Sequence, residues 1–306
     1  MTKTIITAGS AYVDIDVLAS AVGYRELLIA LKKPASVVLT GPYNSTITNT
    51  VSSWEKDVER KAISSSMENE YILVDISNPN YVEKFVNLDQ VTKVFDHHHG
   101  YEDFWREKLG ENSIIEYVGS CATLIWEEYV KMSCENLISK NVANLLCSAI
   151  VSNTLNFSAK ITSERDICAY KNLLSKSSLS ENWQESYYTD ATKTILENLY
   201  DSLRTDTKHI DHPEASFYFG QLELWNIPKE EFHSFKKKIE NHMDSLYKNK
   251  DWLVSVIEIS QKRNIFFSNN WEKMSTILNK FTKNCSDGIC VSEGVWLRKE
   301  ILKNLY

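Results

Sequence analysis

The sequence predicts an α/β protein of two domains, an alternating strand-and-helix series followed by a smaller mixed α/β part. Three observations carry this. At 306 residues the chain exceeds a typical single domain. Short β-branched runs alternate with helical patterns through its first 180 residues. Three of those runs also end on acids, which in an open α/β sheet gathers the acids on the one rim where ligands bind.

Residues 3–8 read as the first strand, and Gly9-Ser10-Ala11-Tyr12 leads to Asp14 and Asp16 at the head of a helical pattern over 17–31. Taken alone, this pair fits an N-cap with a first-turn acid better than a ligand pair. A strand is expected at 36–40, a helix across 51–64, and a strand at 71–74 that ends in Asp75. The buried run 91–95 then delivers Asp96, His97, His98 and His99. Three of the seven histidines stand together there, and no other occurs before His209. A polar surface loop and a metal site both fit that cluster.

Residues 114–118 form another strand, and Gly119-Ser120-Cys121-Ala122-Thr123 opens a helix running to about Lys131. Small residues with free N–H groups at a helix start suit an anion, and they suit close helix packing equally. Helical patterns follow at 138–151, ending at Ser152-Asn153-Thr154, and at 162–174. The serine-rich stretch 175–180 reads as a linker, dividing domains at 1–180 and 181–306. Beyond it come a helix at 190–203, strand-like runs at 216–224, 252–259, 264–267 and 289–291, and helices at 229–247 and 271–278, which suggest a smaller mixed sheet. Its noteworthy cations are Lys208 and the pair Arg298-Lys299, for which a solvated surface is the default reading.

A net charge of −7 gives no basic footprint, which excludes a dedicated duplex-binding protein but leaves room for a local phosphate pocket. The opening residues are too polar for a signal sequence and no apolar run spans a membrane, so a cytoplasmic protein is expected. The six cysteines show no CxxC pairing, and reduced structural thiols are expected.

In order, Asp14-x-Asp16, Asp75, Asp96-His97-His98, Gly119 to Thr123, Lys208 and Arg298-Lys299 resemble the DHH phosphoesterases. Among these the chain is most similar to the manganese-dependent family II inorganic pyrophosphatases and their exopolyphosphatase and Prune-like relatives. The resemblance implies a parallel-sheet N-terminal domain carrying two metal ions, a C-terminal domain supplying phosphate-binding cations, and an active site in the cleft between them. It implies Asp14, Asp16, Asp75, Asp96 and His97 as metal-centre residues, with Asp75 bridging. His98 would face the substrate and leaving phosphate, and Lys208, Arg298 and Lys299 would bind phosphates. Carboxylates with imidazole suit Mn²⁺ or Mg²⁺. Two such ions can activate a water and neutralise phosphoryl oxygens. The implied function is hydrolysis of pyrophosphate or short polyphosphate. A phosphodiesterase or phosphatase acting on short oligonucleotides or adenosine bisphosphate is the alternative, as is a degenerate member that binds metal or nucleotide without turnover. A homodimer is left open.

Three positions depart from the family pattern. Ser10 stands where the pyrophosphatases carry a His, and Asn153-Thr154 replaces an Asp-Thr motif. Leu297 replaces the Ser that usually precedes the arginine-lysine pair. Asn153 is expected to offer a carbonyl oxygen, but no charge, to the second ion.

Overall fold

The computed structural model describes residues 3–212, 215–286 and 288–303. They divide into two compact units that meet between Gln184 and Glu185.

The first unit contains strands β1 (Lys3–Thr7), β2 (Ala35–Val38), β3 (Val58–Glu59), β4 (Asn69–Val74), β5 (Val91–Asp96) and β6 (Ser113–Ile115), with helices α1 (Ile15–Ala30), α2 (Asn49–Ser52), α3 (Glu102–Leu109), α4 (Cys121–Lys131), α5 (Lys140–Asn153) and α6 (Glu164–Leu174). Its six strands are all parallel, in the order β3-β2-β1-β4-β5-β6. The order reverses between β1 and β4. Chain segments leaving these two neighbours therefore diverge, opening a crevice at their carboxyl ends. The acids at this rim are Asp14 and Asp16 beyond β1, Asp75 after β4, and Asp96 as the last residue of β5, with His97 following it.

A parallel sheet needs cover on both faces, and its strands are correspondingly buried toward their carboxyl ends, as in Ile5–Thr7, Tyr71–Val74 and Val94–Asp96. On one face Ile5, Val38, Leu73 and Val94 pack with Phe85 and Trp105. Helix α1 is buried over nearly its whole length. Gly23 lets it approach α4 and α5 closely, because a Cβ there would stand 3.3 Å from Ile125 and Leu146.

The expected helix over 51–64 does not form beyond the single turn of α2. Ser52 and Ser53 turn their hydroxyls back onto the carbonyls of Asn49 and Thr50, Asp57 takes φ +58°, and Val58–Glu59 pairs with β2 instead. Local hydroxyl bonding and sheet pairing thus override the helical spacing. The serine-rich stretch is also tied down, since Ser178 N–H donates to Asn144 Oδ1 at 2.9 Å and Asn144 Nδ2 donates to Ser178 Oγ at 3.0 Å.

The unit boundary lies within α7 (Trp183–Glu197), and α8 (Leu199–Thr205) follows after a break at Asn198, where one helix over 190–203 is expected. The second unit adds β7 (Thr207–His212), β8 (Ala215–Leu224), α9 (Phe232–Leu246), β9 (Trp252–Glu258), β10 (Arg263–Ser268), α10 (Trp271–Leu278), β11 (Thr282–Ser286), β12 (Ile289–Ser292) and α11 (Arg298–Leu302). Its sheet runs β11-β12-β10-β9-β8-β7 and is antiparallel except for β8 with β9. Alternate residues serve opposite faces. Val254 and Phe267 pack with Phe235, Ile239 and Met243 of α9, whereas Leu253 and Phe266 pack with Met274 and Leu278 of α10.

Cys285 and Cys290 sit opposite each other in the β11–β12 pair and form a disulfide, correcting the expectation of reduced thiols throughout. Cys121, Cys134, Cys147 and Cys168 are free. No helix among the described residues is long and apolar enough to cross a membrane.

One buried acid braces the loop that feeds α4. The carboxylate of Asp166 accepts from Gly119 N–H at 2.8 Å, Thr123 Oγ1 at 2.6 Å, Ser163 N–H at 2.8 Å and Ser163 Oγ at 2.6 Å. Asp166→Ala strands these donors in the interior, and a loss of about 3 kcal/mol is expected in urea unfolding. A loss below about 1 kcal/mol would show that the loop holds without it.

Candidate metal centre

Asp14 caps α1. Its Oδ1 accepts from the backbone N–H of Asp16 and Val17, both at 3.0 Å. Burial, reinforced by the negative charge of Asp16, raises its pKa.

Asp16 lies in the first turn of α1 and is fully buried. Its carboxylate faces the start of α4 and accepts from Ser120 Oγ at 2.9 Å, Cys121 N–H at 2.8 Å and Ala122 N–H at 2.9 Å. The helix start that suits an anion is therefore filled by the protein's own carboxylate. Close packing applies there as well, because a Cβ on Gly119 would stand 2.6 Å from Thr154 Cγ2.

Asp75 follows β4 in the left-handed region, φ +54°, with its N–H donated to Phe95 O at 2.8 Å. An aspartate tolerates that conformation better than most residues. Its Oδ1 is buried and receives no hydrogen bond. Burial first, then the charges of Asp16 and Asp14, push its pKa well above the ordinary carboxylate range.

Asp96 ends β5 and organises the loop after it. Its Oδ1 accepts from His97 N–H at 2.8 Å, His98 N–H at 3.2 Å and His98 Nδ1 at 2.8 Å. Burial opposes its charge, but the bond and charge of His98 prevail and its pKa is lowered.

His97 donates Nδ1–H to Val118 O at 3.0 Å. In the neutral ring that bond puts the proton on Nδ1 and leaves Nε2 with a lone pair. Nε2 stands 3.3 Å from Asp75 Oδ1 and 3.8 Å from Asp16 Oδ2. A lone pair directed at an unpaired buried carboxylate oxygen is unfavourable until a proton or cation enters between them. Among the described residues, Asp75, His97 and His98 form a set whose ligand atoms lie within 4.8 Å of one another. An imidazole held by a carbonyl on its far nitrogen, beside an anionic oxygen, fits a divalent metal.

Asn153 closes α5 and donates Nδ2–H to Asp16 Oδ2 at 2.6 Å. The expected carbonyl ligand thus presents its amide nitrogen to the site. Ser10 is exposed, with its N–H on Tyr81 O at 3.1 Å. His99 is outside the cluster, paired with Glu102 and stacked on Tyr117.

In the second unit the guanidinium of Arg298 is largely engaged. Nη1 donates to the carbonyls of Asp206 at 2.6 Å and Phe219 at 3.0 Å, and Nη2 donates to Asp206 Oδ1 at 2.7 Å. Lys208 and Lys299 are exposed. Asp206 and Asp166 are the residues that motif reading missed. Asp206 lies two positions before Lys208, and Asp166 completes a capping box with Ser163, a spacing visible in the sequence.

Residues 4–150, all in the first unit, match the model of the DHH family, N-terminal domain. A Bacillus velezensis protein named "Probable manganese-dependent inorganic pyrophosphatase" is 30% identical over 172 residues, covering 56% of this chain and 54% of that one. The manganese-dependent inorganic pyrophosphatase of Bacillus subtilis is 29% identical over the same length and coverage. The chain thus spans about half the length of the curated relatives it matches. Among solved structures, a Methanococcus jannaschii candidate family II inorganic pyrophosphatase superposes with a TM-score of 0.64 at 20% identity, covering 98% of this chain and 96% of that one. An exopolyphosphatase-related protein from Bacteroides fragilis gives 0.53 at 16% identity, covering 99% and 90%. The chain shares their fold, a parallel-sheet unit followed by a mixed one.

The raised pKa of Asp75 has a consequence for the metal-free protein. A carboxyl group whose folded pKa lies above its unfolded value favours folding fully below about pH 4, and that contribution is lost as pH climbs through the folded pKa. Asp75→Asn keeps the backbone geometry and removes the charge. In chelator at neutral pH the variant is expected to melt above the wild type, the difference closing in acid, and Mn²⁺ should raise only the wild-type Tm. Calorimetry across pH checks this, and a less stable metal-free variant would contradict it.

Proposed function

We propose that this chain is a divalent-cation-dependent hydrolase of phosphoanhydride bonds acting on pyrophosphate or short polyphosphate. The observation that carries this reading is His97, whose Nδ1–H is spent on Val118 O while Nε2 faces the unpaired Oδ1 of Asp75 at 3.3 Å. Such a pair is built for a cation rather than for a proton relay to solvent. The names of the pyrophosphatase relatives support Mn²⁺ as that cation. Asp75 and His97 would hold it, and His98 lies within reach of the same ion. The bound ion would supply charge for the phosphoryl oxygens and lower the pKa of an attacking water.

The chain's own groups do the remaining work. Asp96 anchors the His97 and His98 backbone and so fixes the direction of both rings. Burial opposes protonation of His98, but its bond to Asp96 and the nearby Asp75 raise its pKa, favouring the imidazolium. With Nδ1–H committed to Asp96, the other ring nitrogen can carry a proton for a departing phosphate. Among the described residues of the second unit, Lys208 and Lys299 are exposed cations suited to phosphate oxygens, and Arg298 keeps whatever donors Asp206 and the carbonyls leave.

Ser10 and Asn153 favour a second reading, a member that binds cation and phosphate without turnover. Phosphate release decides between them. With Mn²⁺ or Mg²⁺, release is expected from pyrophosphate or tripolyphosphate and not from a dinucleotide. Asp75→Ala and His97→Ala should each lower kcat/KM by at least about 100-fold, or ~2.7 kcal/mol of transition-state stabilisation. Lys208→Ala should act mainly on KM. No release from any substrate with either metal would leave the binding-only reading.

A further inference from the structure

We infer that this chain holds one divalent cation rather than the two its resemblance implies, because Asp16 and Asn153 have become a structural lock. The inference rests on reading Asp75 and His97 as the cation site.

An ionised carboxylate offers about four lone-pair positions. Asp16 has five donors around it. Oδ1 takes Ser120 Oγ and Ala122 N–H at 2.9 Å and Ser20 Oγ at 3.4 Å, while Oδ2 takes Cys121 N–H at 2.8 Å and Asn153 Nδ2 at 2.6 Å. The atom of Asn153 facing Asp16 must be its amino group, because a carboxylate surrounded by N–H donors can only accept. An ion approaching Oδ2 would meet the positive end of that amide and would have to break a short bond to bind.

The other acids are partly committed: Asp14 spends Oδ1 on the α1 cap and Asp96 spends Oδ1 on three donors from His97 and His98, with Asp96 Oδ2 buried and without a hydrogen bond. Ser10 is neutral, exposed and directed by its backbone toward Tyr81. A Mg²⁺ or Mn²⁺ ion needs about six ligands and favours anionic oxygen. One ion finds an anchor in the unpaired Asp75 Oδ1 with the His97 ring nitrogen beside it, whereas a second would have to take Asp16 Oδ2 from Asn153. Asn153 substitutes a hydrogen bond for an ion, giving Asp16 a permanent neutral partner.

Mn²⁺ stoichiometry tests this. Equilibrium dialysis with metal quantification is expected to give one ion per wild-type chain, and its electron paramagnetic resonance spectrum should be that of an isolated ion. Asn153→Asp removes the donor and adds a carboxylate; it should bind a second ion and show spin coupling. Two ions, or a coupled spectrum, in the wild-type protein would overturn the inference, as would no ion at all. A folded Asn153→Asp chain that still binds one ion would show that Asn153 is not the lock. Phosphate release from the same samples separates this from the function. One ion without hydrolysis defeats the hydrolase reading alone, and hydrolysis with two ions defeats only the present inference.

Discussion

The buried carboxylate of Asp16 is the constraint on which the first unit depends. It belongs to α1, yet its partners lie at the start of α4, at the end of α5 and, at 3.8 Å, on the His97 ring. A charge removed from water costs several kcal/mol unless donors surround it, and here the N–H groups of a helix start supply them. Three helices and the histidine loop are thereby fixed to one another by a single group. Asp166 performs the same task one layer out, between the Gly119 loop and α6, so the helix after β6 is braced by carboxylates on both sides.

Sheet topology and electrostatics meet at one place. The reversal of strand order between β1 and β4 opens the crevice, and the residues at the ends of β1, β4 and β5 fill it with acids. Asp16 is ringed by hydrogen bonds and Asp96 Oδ1 takes three, while Asp75 Oδ1 has none and carries the repulsion of Asp16 and Asp14. The metal-free fold therefore stores an unfavourable interaction at the point where a cation would relieve it. Site strength is bought with apo stability, a common trade at functional centres.

Much of this was legible in the sequence for a physical reason. The run 71–74 is continuous and apolar and 91–95 is rich in β-branched and apolar residues, and each is followed directly by an acid, so the rim could be read from spacing alone. Asp75, His97 and His98 converge as that spacing implies. Helix 51–64 failed because local serine hydroxyl bonds and the tertiary pairing of Val58 with β2 are choices that periodicity does not record. The partners of Asp16 and Asn153 were hidden for a related reason. A motif shows that an acid is present at a strand end, but only the folded chain shows that helix N–H groups have already claimed it. Arg298 is similar: its neighbour in space, Asp206, lies 92 positions earlier in the chain.

The central claim is that Asp75 and His97 face each other across the position of a divalent cation. Anomalous diffraction at the manganese edge, on crystals grown with Mn²⁺, tests it most directly. The account predicts a peak about 2 Å from both His97 Nε2 and an Asp75 carboxylate oxygen, with Nδ1 of His97 still on Val118 O. A His97 ring turned so that Nε2 meets a protein donor, with no peak beside Asp75, would contradict it.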